Sequence, residues 1–313
     1  SRYIALAWFA GCHLRLDALR NMIAPDVVGI GEMLWDVFPD EEKLGGAPLN
    51  FSLHCAQLGA SAFPVSALGA DADGALIRKI LCSKNLLDSF VQTDPIHPTG
   101  QVNVTLNNGK PSYEILPDVA WDYISFDHQL HELAIHADAV CFGSLAQRSA
   151  VSRASIHAFL DSMRPETLRI FDVNLRQDFY SREILEASLR RANICKLSDE
   201  ELPVLAKLFD LPGEVSTQLQ RLREMFDLRL VAYTRGAEGS LLVTAGESAE
   251  HPGFRTKVVD TVGAGDSFTA TLCMGLLQNL PLAEINRRAC RIAAFVCSQA
   301  GATPQLPKHF SEI

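Results

Sequence analysis

Short apolar runs that alternate with amphipathic stretches restrict the fold of this chain more than any other feature. Runs at 27–30, 63–68, 139–142, 168–173, 194–197 and 228–234 are almost continuously apolar and too short for helices. Stretches with helical spacing lie between most of them. In 48–58, Leu49, Leu53 and Ala56 share one face and Gly59 follows as a stop; 75–86, 266–277 and 282–298 read in the same way. A strand that is apolar on both faces has to be covered on both faces, and crossover helices between parallel strands do this. The pattern predicts an α/β fold with a mostly parallel central sheet between helical layers.

Two stretches, 33–44 and 100–122, interrupt the alternation and read as β-hairpin material without crossover helices. In the second, 101–106 alternates, Asn107-Asn108-Gly109 is a strong turn signal, and 112–116 returns. With their flanks, 33–44 and 98–124 are expected to form a small protruding β-sheet, a lid over a site. Tyr113 and Trp121 on this segment could cover a ligand, although aromatic residues on a hairpin more often pack.

A chain of 313 residues suits two domains or one large domain with an insert, and 25–313 is taken here as one α/β domain. Residues 1–24 stand apart: 1–21 precede Met22 and read equally well as an extension or as a helix. The net charge of −9 gives no long-range attraction for a polyanion, which disfavours nucleic-acid binding as the main role. No apolar run reaches the roughly 18 residues that span a bilayer, and 4–12 comes closest. Eight cysteines without C-x-x-C or zinc-like spacing read as reduced, buried thiols of a cytoplasmic protein.

The most informative segment is Asp260-Thr261-Val262-Gly263-Ala264-Gly265-Asp266-Ser267-Phe268. Glycines let a main chain approach a bulky anion, and the free N–H groups of the helix that follows point at it. An aspartate here would repel a phosphate unless it faced something else, and a hydroxyl nucleophile is such a partner. Asp266 could accept the hydroxyl proton while the glycine turn holds the phosphoryl group. A helix start with a capping acid would account for Asp266 but not for the Gly-Ala-Gly run.

This segment resembles the C-terminal signature of the ribokinase-like sugar kinases, the phosphofructokinase-B family. Other blocks follow in family order over about 27–304. Gly45-Gly46-Ala47-Pro48-Leu49-Asn50 is similar to the family's glycine pair and asparagine, Gly69-Ala70-Asp71-Ala72-Asp73-Gly74 to its glycine/aspartate block, and Thr234-Arg235-Gly236-Ala237-Glu238-Gly239 to its nucleotide-side turn. The resemblance implies a three-layer ribokinase-like fold and ATP-dependent phosphorylation of a sugar's primary hydroxyl. Asp266 would be the base, and Gly263, Ala264 and Gly265 would stabilise charge through main-chain donors, each worth about 3–4 kcal/mol in the best case. Mg²⁺ would accompany ATP, and a monovalent cation such as K⁺ is a family feature.

On the sugar side the resemblance implies roles for Asp36, Gly45, Gly46 and Asn50. It also implies roles for Asn174 and Arg176, from an Asp-Val-Asn-Leu-Arg block similar to that of fructokinase-like members. An ion pair is the structural alternative for Arg176, a solvent-facing acid that for Asp36. On the nucleotide side it implies Ser198, Thr234, Gly236 and Gly239, with Glu201 ordering water about the metal. Ser198 stands where the family often has asparagine, and Ser198 with Glu201 is equally a capping box. Fructose is the first substrate expectation; ribose, 2-keto-3-deoxygluconate and nucleosides stay open. A sensor that binds sugar or nucleotide without catalysis is the rival from another class. A homodimer through the lid is expected. There is no P-loop motif, and Gly29-Ile30-Gly31 lacks the helix and third glycine of a dinucleotide fingerprint.

Overall fold

The computed structural model describes residues 24–107 and 110–310, with the backbone alone for 105–107 and 110–113. The expectations for the N-terminal segment, for the turn at Asn108-Gly109 and for the Tyr113 side chain lie outside the described residues.

The apolar runs form the strands β1 (Asp26–Ile30), β4 (Ser61–Gly69), β8 (Ala139–Phe142), β9 (Leu168–Asp172), β10 (Ile194–Ser198) and β11 (Leu230–Thr234). With β5 (Val91–Asp94), β12 (Ser240–Val243) and β13 (Ser248–His251) they build a nine-stranded sheet in the order β13-β12-β11-β10-β9-β8-β1-β4-β5. All pairings from β5 to β11 are parallel; β12 and β13 add an antiparallel edge that the sequence pattern did not announce.

Nine α-helices are described. On one face of the sheet, α1 (Ala47–Gln57), α2 (Ala72–Ser83), α8 (Ala264–Leu277) and α9 (Leu282–Cys297) pack their apolar sides, with Phe51, Ile77, Leu272 and Ile292 each no more than 1% exposed. On the other lie α3 (His128–His136), α4 (Ala150–Ser162), α5 (Arg182–Arg191), α6 (Leu202–Phe209) and α7 (Val215–Met225), covering Phe142 and Phe171, whose rings stack at 5.3 Å. The two-sided burial of the central strands is what their unbroken apolar character required. The start of α2 is earlier than the apolar pattern suggested, because Asp71 caps it by accepting from Gly74 N–H at 2.8 Å.

The interruptions form a separate four-stranded sheet, β3-β2-β6-β7, from β2 (Leu34–Val37), β3 (Glu42–Gly45), β6 (Gly100–Asn107) and β7 (Lys110–Ile115). Both hairpins are antiparallel, and β2 and β6 join them in parallel. The small sheet ends at Ile115, so the expected lid boundary is corrected there. Trp121, in a single 3₁₀ turn over Ala120–Tyr123, returns to the main body, is fully buried, and stacks on the Arg148 guanidinium at 4.0 Å. It packs rather than covers, because Arg148 is itself fixed by two hydrogen bonds to Asp122, at 2.9 and 2.8 Å. The seven described cysteines are free thiols, and five of them are buried.

Candidate active site

Strands β1, β9, β10 and β11 run parallel, so their carboxyl ends open on one edge of the sheet, where α/β folds bind ligands. The first turns of α1 and α8 meet at that edge. Four other helices start on a side-chain cap from Asp71, Asp127, Ser149 or Ser181. These two instead start on glycines with positive φ, Gly46 at +111° and Gly263 at +78°, and no capping side chain. Their leading N–H groups are therefore left to other partners.

The glycines are fixed by close approach as well as by φ. A Cβ on Gly263 would lie 2.1 Å from the Ala302 carbonyl, and one on Gly46 would lie 2.4 Å from the Glu32 carbonyl. Gly29 and Gly31, which do not form a dinucleotide fingerprint, are explained in the same way. A Cβ on Gly29 would meet the Pro48 carbonyl at 2.1 Å, and one on Gly31 the Pro48 ring at 2.8 Å. The end of β1 and the start of α1 are thus two halves of one glycine-lined contact.

At the meeting point Asn50 Nδ2 donates to Asp266 Oδ2 at 2.8 Å. Asp266 is half-buried in the first turn of α8 and shares a cavity with Ala47, Gly143, Asp172, Asn174 and Thr269. Burial and the Asp172 carboxylate push its pKa up to about 6, against the pull of Asn50, Lys196 and Arg176. The Ala264 N–H bonds back to Thr261 O at 3.3 Å. Among the described residues the Gly263 and Gly265 N–H groups have no acceptor, and they are the donors the turn presents.

Below the turn lies a buried ion pair that sequence reasoning did not assign. Lys196 Nζ donates to Asp172 Oδ1 at 3.0 Å, and Thr269 Oγ1 donates to Asp172 Oδ2 at 2.9 Å. The ammonium sits 3.1 Å from the place a Cβ on Gly265 would occupy. Burial opposes this charge, but Asp172 and Glu201 more than compensate, so Lys196 stays protonated above the ordinary lysine range. The cation reinforces the positive end of α8.

Several of the residues expected on the sugar side lie within electrostatic reach of one arginine. Arg176 is exposed beyond β9 and within electrostatic reach of Asp36, Asp266 and Glu32. Asp36 on β2 lies against Gly45, where a Cβ would come within 2.6 Å of its Oδ2. Burial pushes Asp36 up to about 6, opposed by Arg176 and Lys43. Glu32, to which the sequence gives no role of its own, is pushed by burial up to about 7. Asn174 lies beside Asp266 in the cavity wall and adopts φ +41°, a left-handed conformation tolerated by asparagine.

The residues expected on the nucleotide side are at the ends of the next two strands, where Ser198 pairs with Thr234 in register. Ser198 and Glu201 form the capping box: Glu201 Oε2 accepts from Ser198 N–H at 2.8 Å, and Ser198 Oγ accepts from Glu201 N–H at 3.3 Å. Glu201 Oε1 accepts from Leu175 N–H at 2.9 Å, so one carboxylate ties the end of β10 to the loop that carries Asn174 and Arg176. Gly236 opens a 3₁₀ turn and Gly239 follows it, at φ +53° and +80°, and a Cβ on Gly239 would lie 1.9 Å from His251 O.

A backbone anion cradle with a carboxylate beside it is what a phosphotransferase needs. The family model for pfkB carbohydrate kinases matches residues 25–309. The chain belongs to the pfkB family of carbohydrate kinases. It is 29% identical over 266 residues to a fructokinase of Salmonella typhimurium, covering 80% of this chain and 84% of that one. An uncharacterized sugar kinase of Pyrococcus horikoshii, solved in complex with ATP, superposes with TM-score 0.76 at 27% identity over 88% of this chain and 94% of that one. The fructokinase of Vibrio cholerae O395, solved with fructose, ADP and calcium, gives TM-score 0.77 at 24% identity, over 91% and 96%, and shows the shared fold. The architecture is ribokinase-like, and the protein is a sugar kinase of this family.

Proposed function

We propose that the protein transfers the γ-phosphoryl group of ATP to the primary hydroxyl of a neutral sugar, with fructose the first candidate. The observation that carries the reading is the Asp266 carboxylate, held by Asn50 at 2.8 Å beside the uncapped start of α8. Asp266 takes the hydroxyl proton as the sugar oxygen bonds to the γ-phosphorus. The bond from that phosphorus to the bridging oxygen breaks, and ADP leaves. Gly263 and Gly265 N–H groups, with Lys196 below them, meet the charge on the transferring group. Gly45 and Gly46 let the main chain approach the sugar, while Asp36, Asn174 and Arg176 bond its hydroxyls. Ser198, Thr234, Gly236 and Gly239 border the nucleotide.

The electrostatics favour a neutral acceptor. Three carboxyl groups, Glu32, Asp36 and Asp266, share the guanidinium of Arg176; Lys43 and Lys196, which also act on Asp36 and Asp266, are already paired with Glu41 and Asp172. A sugar acid or sugar phosphate would bring further negative charge into this cluster at a cost. Fructose, ribose and nucleosides meet that condition, and 2-keto-3-deoxygluconate does not.

The divalent cation enters with its nucleotide, as MgATP. Among the described residues no three acidic, histidine or cysteine side chains converge to cage a metal. Glu201, with each oxygen already taking one N–H, keeps lone pairs only for waters around that ion. A monovalent cation would need free oxygens near Asp260. Its two carboxylate oxygens each accept one N–H, from Val262 and Gly301, and so keep lone pairs that could take such an ion; no step uses it. The small sheet has two open edges, β3 and β7, and we extend the reading to a homodimer paired through it. Sedimentation as a monomer would reject that extension. The free thiols suit a cytoplasmic kinase; among the described residues no helix is long and apolar enough to cross a membrane.

The test is ATP consumption over about twenty sugars, including acidic and phosphorylated ones. Turnover on neutral ketoses is expected; turnover confined to acidic sugars would overturn the substrate class. Binding of sugar and ATP without turnover would point to the sensor instead.

A further inference from the structure

One buried carboxyl group of the cleft has no part in the steps above. Glu32 follows β1 and is 3% exposed. Its Oε1 accepts from the Ala47 N–H at 3.3 Å, and its Oε2 is buried with no hydrogen-bond partner among the described residues. Ala47 is the first residue of α1, and its N–H is one of those a helix start leaves unsatisfied. An ordinary cap from position 46 is impossible. Gly46 needs φ +111°, and any Cβ there would run into the Glu32 carbonyl at 2.4 Å. The same glycine that frees the main chain for the sugar deprives α1 of its cap, and Glu32 supplies the acceptor from another segment.

The consequence reaches the reacting atoms. Ala47 and Asn50 lie three apart in the first turn of α1, so they share a helix face and move together. Asn50 donates to Asp266, and its own N–H closes on Gly46 O at 2.9 Å. We propose that Glu32 is a positioning residue of the kinase reaction: by holding Ala47 N–H it fixes the first turn of α1, and that turn aims Asn50 at the base Asp266. The proposal deepens the phosphoryl-transfer reading and rests on it.

The experiment compares Glu32→Ala, Glu32→Asp and Glu32→Gln with wild type in a coupled assay, varying sugar and ATP separately. Gln keeps an acceptor at full reach without the charge; Asp keeps the charge but is one methylene too short. Ala and Asp are expected to lower kcat by about tenfold or more and raise the sugar KM, with the ATP KM within about twofold; Gln is expected to recover most of the loss. Asn50→Ala added to Glu32→Asp should cost less than the product of the two separate losses, because the residues act in series. Independent multiplication of the losses overturns the proposal. So does an active Asp variant beside an impaired Gln variant, which would assign the role to charge. Loss of melting temperature with kcat per folded molecule unchanged would reduce Glu32 to a stabilising residue and overturn it as well. Should Glu32→Ala fail to fold, the Gln and Asp pair decides alone. A wild-type protein inactive on every sugar rejects the phosphoryl-transfer reading, whereas an active wild type with indifferent Glu32 variants rejects this inference only.

Discussion

On the proposed reading, the nucleotide half of the cleft relies mostly on main chain, at Gly236, Gly239, Gly263 and Gly265, and the sugar half mostly on side chains, Asp36, Glu32 and Asp266 around Arg176. A phosphate group looks alike on every nucleotide, so fixed N–H groups suffice for it. Sugars differ in where each hydroxyl points, and only side chains of chosen length can read that. The difference predicts two kinds of sensitivity. Glycine replacements should cost stability and both substrates together, whereas sugar-side replacements should act on sugar kinetics and pH.

The largest effect is expected at the seam between the halves. Asp266→Ala should lower kcat by several hundredfold or more, with circular dichroism and melting temperature retained. A loss under about tenfold would remove Asp266 from the reaction. Next comes Gly263→Ala, which combines φ +78° with a contact at 2.1 Å to Ala302 O. It should cost about 2–3 kcal/mol in denaturant unfolding and weaken ATP use. Full stability in that variant would mean that the turn is softer than its contacts imply. Arg176→Met should raise the sugar KM about tenfold while the ATP KM stays within about twofold. Because Arg176 lowers the pKa of Asp266, its loss should also move the acid limb of kcat to higher pH. An unmoved limb would show that the arginine does not face the base.

The smallest effects are those of pH on the wild type. A base must be ionised, so kcat should fall as pH drops through about 6, the value to which burial first and Asp172 second push Asp266. Stability should run in the opposite direction. Glu32, Asp36 and Asp266 all have folded values raised to about 7, 6 and 6. Their protonation therefore favours the fold fully below their ordinary values, and that contribution is lost as pH rises through about 6 to 7. Thermal melts should place the midpoint a few degrees higher, ~2–5 °C, at pH 6 than at pH 8. Equal midpoints would indicate that solvent screens the cluster.

The parts of the molecule visible in the sequence are those whose cause is local. Two-sided burial makes the central strands apolar throughout, and the approach of an anion leaves glycines at fixed spacing. The antiparallel pair β12 and β13 escaped notice because an edge strand such as Ser248–His251, with only Ala249 buried, carries no apolar run. Trp121 was ambiguous because its partner, Arg148, comes from a distant segment. Glu32 and Lys196 were passed over for the same reason. The acid is defined by the amide of Ala47, fifteen residues on, and the lysine by Asp172 on the neighbouring strand. The bond between Asn50 and Asp266 spans 216 positions, and only the fold could reveal it.

Glu201 takes one amide from the segment proposed to face the sugar and another from the strand proposed to border the nucleotide. A floor shared in this way transmits adjustment from one guest to the other. Side-chain changes at 174 and 176 that leave the Leu175 amide on Glu201 should therefore spare the nucleotide, whereas any redesign that moves the backbone there will be felt by both guests.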